Sequence, residues 1–110
     1  MSSSSTDAPG GSERAVLFVN NHIYPVGPSE ILDRFFEAVG SEAPVLASLH
    51  DRELSGTEAG AALRELADVS GKVDSLGLRT EDGRDLGGLM KRVLSYAADV
   101  DEPASVIRAS

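Results

Sequence analysis

The chain contains two histidines, His22 and His50, and no cysteine. Acid–base or metal chemistry would therefore have to combine these imidazoles with nearby carboxylates. The densest grouping is His50-Asp51, with Glu53 two residues further on. An imidazole among carboxylates can relay a proton or hold a divalent cation, provided that the side chains converge. Pro44 to His50 reads as a strand, and adjacent side chains on a strand point to opposite faces. His50 and Asp51 would then diverge, and His22, just after a tight turn, reads as exposed. Both histidines are expected to be plain surface residues. A pocket joining His50, Asp51 and Glu53 would instead make the chain a small enzyme or ligand-binding protein.

The remaining chemical groupings are incomplete. Without cysteine there are no disulfides, thiolate metal sites or thiol nucleophiles. Glu81-Asp82-Gly83-Arg84-Asp85 lacks the alternating ligands and distal Glu of a calcium loop and reads as a polar turn followed by a helix cap. Gly87-Gly88 belongs to no phosphate loop or dinucleotide fingerprint, and no serine sits in a nucleophile elbow. Asp74-Ser75-Leu76 resembles the attachment site of acyl carrier proteins. That resemblance implies a phosphopantetheine acceptor at Ser75 and an all-helical bundle in which the serine opens a long helix. In this chain Gly77-Leu78-Arg79 follows instead. The expectation is no catalytic residue, no metal and no cofactor.

The elements that would carry any site begin with a hairpin. Ala15-Val16-Leu17-Phe18-Val19 is a β-prone run, Asn20-Asn21 suits a type I′ turn, and His22-Ile23-Tyr24-Pro25-Val26 returns. A two-residue loop sets Val19 opposite His22, Leu17 opposite Tyr24 and Ala15 opposite Val26 on one face. Phe18 with Ile23 and Val16 with Pro25 share the other. Pro25 cannot donate to a ladder, so the second strand should be an edge and the first central. Ile31, Leu32, Phe35, Phe36 and Val39 then form one helical stripe that Gly40 closes. The hairpin and this helix, roughly residues 14 to 40, resemble the opening of ubiquitin-like β-grasp domains in hydrophobic pattern. Pro44–His50 is expected to be a strand. Ser55-x-x-Glu58 is a capping box before a helix running to about Val69, and Leu54 with Ala59 could staple its start. A short strand is expected over Lys72–Leu78. Asp85 caps a last helix whose apolar face runs from Leu86 to Val100, and Gly87-Gly88 should fray its start or lie close against another backbone.

The order β-β-α-β-α-(β)-α predicts an α+β fold, a small two-layer α/β sandwich with a mixed sheet and helices mainly on one face. Residues 1–12, rich in Ser, Gly and Pro, read as a disordered tail, residues 13–102 as a single globular domain, and residues 103–110 as a C-terminal tail. The chain has 110 residues, 41% hydrophobic but only 5% aromatic, so aliphatic packing must carry the core. Its formal net charge of -8 disfavours phosphate backbones. Arg79, Arg84, Lys91 and Arg92 are offset by Glu81, Asp82 and Asp85, and no nucleic-acid partner is expected. No run approaches the ~18 apolar residues of a membrane span and no secretory signal opens the chain. The expectation is a cytoplasmic protein without a membrane partner.

A hairpin apolar on both faces gives the one positive functional indication. Helices of so small a domain cover one face. Phe18 and Ile23 make the larger matched pair and are assigned to the core. Leu17, Val19, Tyr24 and Val26 then form an exposed patch. A terminal segment or the last helix could cover that face. Left open, it would suit a protein partner or a second copy. The expected function is a noncatalytic protein-interaction module: a small adaptor, regulator or accessory subunit, and a homodimer where the partner is a second copy.

Overall fold

Arg14–Val19 (β1) and His22–Pro28 (β2) form the expected hairpin in a computed structural model that describes residues 13–109. The tail expected over residues 1–12 lies outside the described residues. Asn20 (φ 49°) and Asn21 (φ 65°) both take the left-handed conformation that a type I′ turn requires. Val19 pairs with His22, Leu17 with Tyr24, Phe18 with Ile23 and Val16 with Pro25, as the loop length dictates. The expected Ala15–Val26 pair is replaced. A bulge leaves Val26 unpaired and sets Ala15 opposite Gly27.

The third strand is Ala104–Ala109 (β3), antiparallel to β1, and the sheet order is β2-β1-β3. The segment expected to be a C-terminal tail is thus part of the sheet. Val106 and Ile107 are β-branched, and the strand pairs the flank of β1 that the hairpin leaves open. β1 is central and β2 an edge, as Pro25 demands.

Among the described residues there are also five helices: Ser29–Val39 (α1), Pro44–Ser48 (α2), Gly56–Asp68 (α3), Ser70–Leu76 (α4) and Leu86–Val100 (α5). The result is an α+β fold consistent with a two-layer sandwich. Its sheet is antiparallel throughout rather than mixed, because both internal strands expected from the sequence are helical. In α2, Pro44 occupies the first turn, where its missing N–H costs nothing, and the buried Leu46 and Leu49 are three residues apart. Over Lys72–Leu78 the chain is helical to Leu76, Val73 is buried, and Gly77 closes α4 in a left-handed conformation (φ 64°).

The helix starts follow the sequence. Ser55 Oγ accepts from the Glu58 N–H (3.2 Å) while Glu58 Oε1 accepts from the Ser55 N–H (3.1 Å), the reciprocal capping box of α3. Asp85 accepts from the Gly88 N–H (3.0 Å) at the start of α5. Gly87 lies close against a neighbour, but against a side chain: a Cβ there would stand 2.5 Å from Val73 Cγ1 of α4. Gly56 opens α3 against the turn after α5, where a Cβ would stand 2.7 Å from Asp101 Cα.

The core reverses the expected hairpin faces. Leu17, Val19 and Val26 are fully buried and Tyr24 packs half-buried against the core. They meet Leu32, Phe35, Phe36 and Val39 of α1 and Met90, Val93 and Leu94 of α5 in one cluster. Phe18, Val16 and Ile23 face the other way. The size of the two matched pairs does not decide the faces, because the core face is shared by three strands. Ala15, Val19 and Ala104 keep that face low, so α1 and α5 can settle on it and supply the bulk. β3 extends the sheet sideways and covers neither face. None of the described helices is long and apolar enough to cross a membrane.

Candidate functional site

The face of the sheet opposite the helices carries two apolar rows. Ile23, Phe18 and Ser105 lie side by side across the three strands, and Pro25, Val16 and Ile107 form the next row. Val16 and Phe18, in the central strand, are half-buried between their neighbours. Ile23 is 60% exposed and Ile107 45% exposed, and these are the exposed large hydrophobics among the described residues. Both belong to this one face, and no charged residue interrupts the two rows.

The rows are fixed at both ends. At the hairpin tip, Asn20 Nδ2 donates to Tyr96 Oη (3.0 Å) from α5, and the His22 ring stands edge-on to Tyr96 with centroids 5.3 Å apart. His22 is therefore exposed, as expected, but it steers the tip instead of standing alone. At the far end Arg14 pairs with Glu81, while the Val26 carbonyl accepts from the Glu81 N–H (2.8 Å). This loop contact holds the bulge of β2 against the Thr80–Asp85 turn. Of the four residues expected to form the exposed patch, Leu17, Val19 and Val26 lie in the core and Tyr24 at its margin. The exposed apolar surface is the one built on Phe18 and Ile23.

The second candidate centres on His50. It sits in the turn after α2 rather than on a strand, so its ring and the Asp51 carboxylate converge after all. His50 Nδ1 lies 3.1 Å from Asp51 Oδ1, and Nε2 lies 2.9 Å from Asp33 Oδ1 on α1. The ring stands edge-on to Phe36. Arg108 Nη2 of β3 reaches the same Asp33 oxygen at 3.1 Å, an ion-pair distance without hydrogen-bond alignment. The hydrogen bond to Asp51, then that to Asp33, raises the His50 pKa above its ordinary value, and partial burial and Arg108 oppose the rise. A protonated imidazole held between two carboxylates has no free lone pair with which to act as a base or ligand. When protonated, the ring donates to both carboxylates and clasps α1, the α2 turn and β3 together. Glu53 does not join it; the neighbouring Arg52 pairs instead with Glu58 (2.7 Å), and that pairing holds Glu58 down at about 2. Asp33 and Arg108 carry no local sequence signal, since one reads as the wet side of a helix and the other as a tail residue. No cluster of three or more His, Asp or Glu with metal-binding geometry occurs among the described residues.

A cavity of about 330 Å³ lies between α3, α4 and α5, floored by Leu63, Leu66 and Val73 and rimmed by Asp74, Asp85 and Lys91. The Asp85 carboxylate there is committed to its helix cap. Ser75 lies at the end of α4, where its hydroxyl donates to the Lys72 carbonyl (2.7 Å). It does not open a long helix as the acyl-carrier resemblance implies. In the Thr80–Asp85 turn the Thr80 hydroxyl donates to Asp82 and, chiefly for that reason, the Asp82 pKa is lowered. No family model, curated protein or solved structure matches the chain.

Proposed function

We propose that the chain is a noncatalytic protein-interaction module that docks a protein through the outer face of its sheet. The docking residues are Val16, Phe18, Ile23, Pro25 and Ile107. The observation that supports this reading is the gathering of both exposed large hydrophobics, Ile23 and Ile107, in two adjacent rows of one face that no charged residue interrupts. Covering the part of each side chain still exposed favours association by about 0.7–1.8 kcal/mol per residue. The face is also rigid, tied at the tip through Tyr96 and at the far end through Glu81. A preformed surface loses little conformational entropy on docking.

The alternative, a small enzyme or ligand-binding protein using His50, Asp51 and Glu53, is not favoured. Glu53 lies outside the cluster and both ring nitrogens of His50 are occupied. The test is a photo-crosslinking amino acid at position 23, with position 37 on the polar side of α1 as control. In the producing cell, a discrete protein adduct is expected from position 23 and not from position 37. Adducts equally abundant at both positions, or absent at position 23, would remove the outer face as a docking surface.

A further inference from the structure

The two edges of the sheet differ. A two-residue hairpin loop makes Val19–His22 and Leu17–Tyr24 the hydrogen-bonded pairs of β1 and β2. The β2 residues whose backbone groups face away from β1 are therefore Ile23 and Pro25. Pro25 has no N–H, the bulge follows, and the Val26 carbonyl is taken by the Glu81 N–H. That edge is blunted in the ways that keep sheets from extending.

The β3 edge is not blunted along its length. The Ala104 N–H and carbonyl bond to the Leu54 carbonyl and N–H, both at 2.8 Å, so the backbone of Ala104 faces away from β1. By alternation, Val106 and Arg108 present their N–H and carbonyl groups to the same side. None of these four groups has a backbone partner among the described residues. Among the described residues they form a short segment without a backbone partner, just beyond the Leu54 bridge.

We propose that a second copy of this chain pairs with that segment, β3 antiparallel to β3 across a twofold axis at Ile107. The proposal rests on reading the chain as an interaction module, but through a different contact from the outer face. An antiparallel strand is complementary to itself, so the four free groups of one copy meet their counterparts in the other. Val106 pairs with Arg108 of the second copy and Arg108 with Val106, giving four backbone hydrogen bonds. The register is selected by two neighbours. Centring on Val106 would set Arg108 against Ala104 of the other copy, whose backbone groups are already held by Leu54. Centring on Arg108 would stack two guanidinium groups. With the axis at Ile107 the two Ile107 side chains meet on the outer face as a non-hydrogen-bonded pair. Charge does not oppose pairing at this edge. In a chain of net charge -8, β3 contains no acidic residue, so two copies meet here without opposing carboxylates. The product is a six-stranded antiparallel sheet, β2-β1-β3-β3-β1-β2, whose outer apolar face is doubled and continuous.

The absence of native cysteine makes the geometry directly testable. In the paired register the Cα atoms at position 107 lie about 4.5–5.5 Å apart, within the range a disulfide spans. The positions 23 lie about 27 Å apart, five strand spacings across and four residues along the strands. Ile107→Cys is expected to give a disulfide-linked dimer under mild oxidation, and Ile23→Cys none. Val106→Pro removes an outward N–H at an edge position that tolerates proline. It should weaken dimerisation at least tenfold in sedimentation equilibrium and leave the circular dichroism unchanged. A wild type that stays monomeric to sub-millimolar concentration would overturn the proposal. So would a dimer indifferent to Val106→Pro, and a link through Ile23→Cys in that case would transfer the contact to the outer face and leave the docking reading standing. Should Val106→Pro fail to fold, wild-type amide exchange decides. Slowing at Val106 and Arg108 as concentration rises supports pairing between copies. Exchange at Val106 and Arg108 that does not change with concentration would overturn it.

Discussion

Leu17 and Phe18 are adjacent in β1 and point to opposite faces, so a single charge placed at each in turn tests the assignment of core and surface. Leu17 is 0% exposed, between Tyr24 and Val106 on the helix side of the central strand. Leu17→Asp removes a buried leucine, which by itself costs about 2–5 kcal/mol, and puts a carboxylate where no cation waits, which costs several kcal/mol more. A domain of this size has about 5–15 kcal/mol in total, so this variant should be unfolded or nearly so at 25 °C. Phe18→Asp places the same carboxylate on the outer face beside Ile23 and Ser105, where solvent reaches it. Its expected cost is about 1–2 kcal/mol of lost partial burial. Urea titrations followed by far-ultraviolet circular dichroism separate the outcomes. A folded Leu17→Asp with a loss under ~1 kcal/mol, together with an unfolded Phe18→Asp, would show that the helices sit on the other side of the sheet.

Three further expectations follow from the same packing. Phe35→Ala, at a fully buried site of α1, should cost about 3–5 kcal/mol in denaturant titration. Gly56→Ala should destabilise by more than the ~1 kcal/mol that alanine normally gains in a helix, because its Cβ would meet the Asp101 backbone; a gain in thermal midpoint would refute this contact. The His50 pKa is raised in the folded chain, so its contribution to stability is complete below the unfolded value near 6.5 and is lost as pH rises through the folded value. Stability of the wild type relative to His50→Gln should therefore fall across that interval, and an NMR titration of His50 centred at or below 6.5 would contradict the clasp.

Local signals with a complete physical rationale were legible in the sequence. The Asn20-Asn21 turn, the hairpin register up to the bulge, the Ser55–Glu58 box and the Asp85 cap each depend on a few neighbouring residues. Pro25 correctly marked an edge. Short apolar runs were not legible, because Val45, Leu46 and Leu49 fit a strand by composition and a helix by spacing, and five residues do not decide between them. The third strand was hidden behind Pro103, which follows the left-handed Asp101 cap of α5 but does not end the fold. The same omission left the His50 cluster invisible, since Asp33, His50 and Arg108 come from three separate elements. It also left the choice of core face to a comparison of two strands where three take part.

The pairing of β3 with β1 joins the earliest and latest described parts of the chain, and that has a consequence on the ribosome. A hairpin closes within about 1–10 μs, so β1 and β2 can meet as soon as they emerge. At roughly 5–20 residues per second, several seconds then pass before Ala104–Ala109 is made. Through that interval the flank of β1 that β3 will occupy is open, and Leu17 and Val19 wait for α5 as well as for α1. Every contact that completes the sheet spans nearly the whole polypeptide, which slows the final step relative to helix formation. A nascent chain stalled before Val106 would carry an unpaired, Val- and Leu-rich strand, the kind of segment that chaperones hold and that aggregates recruit.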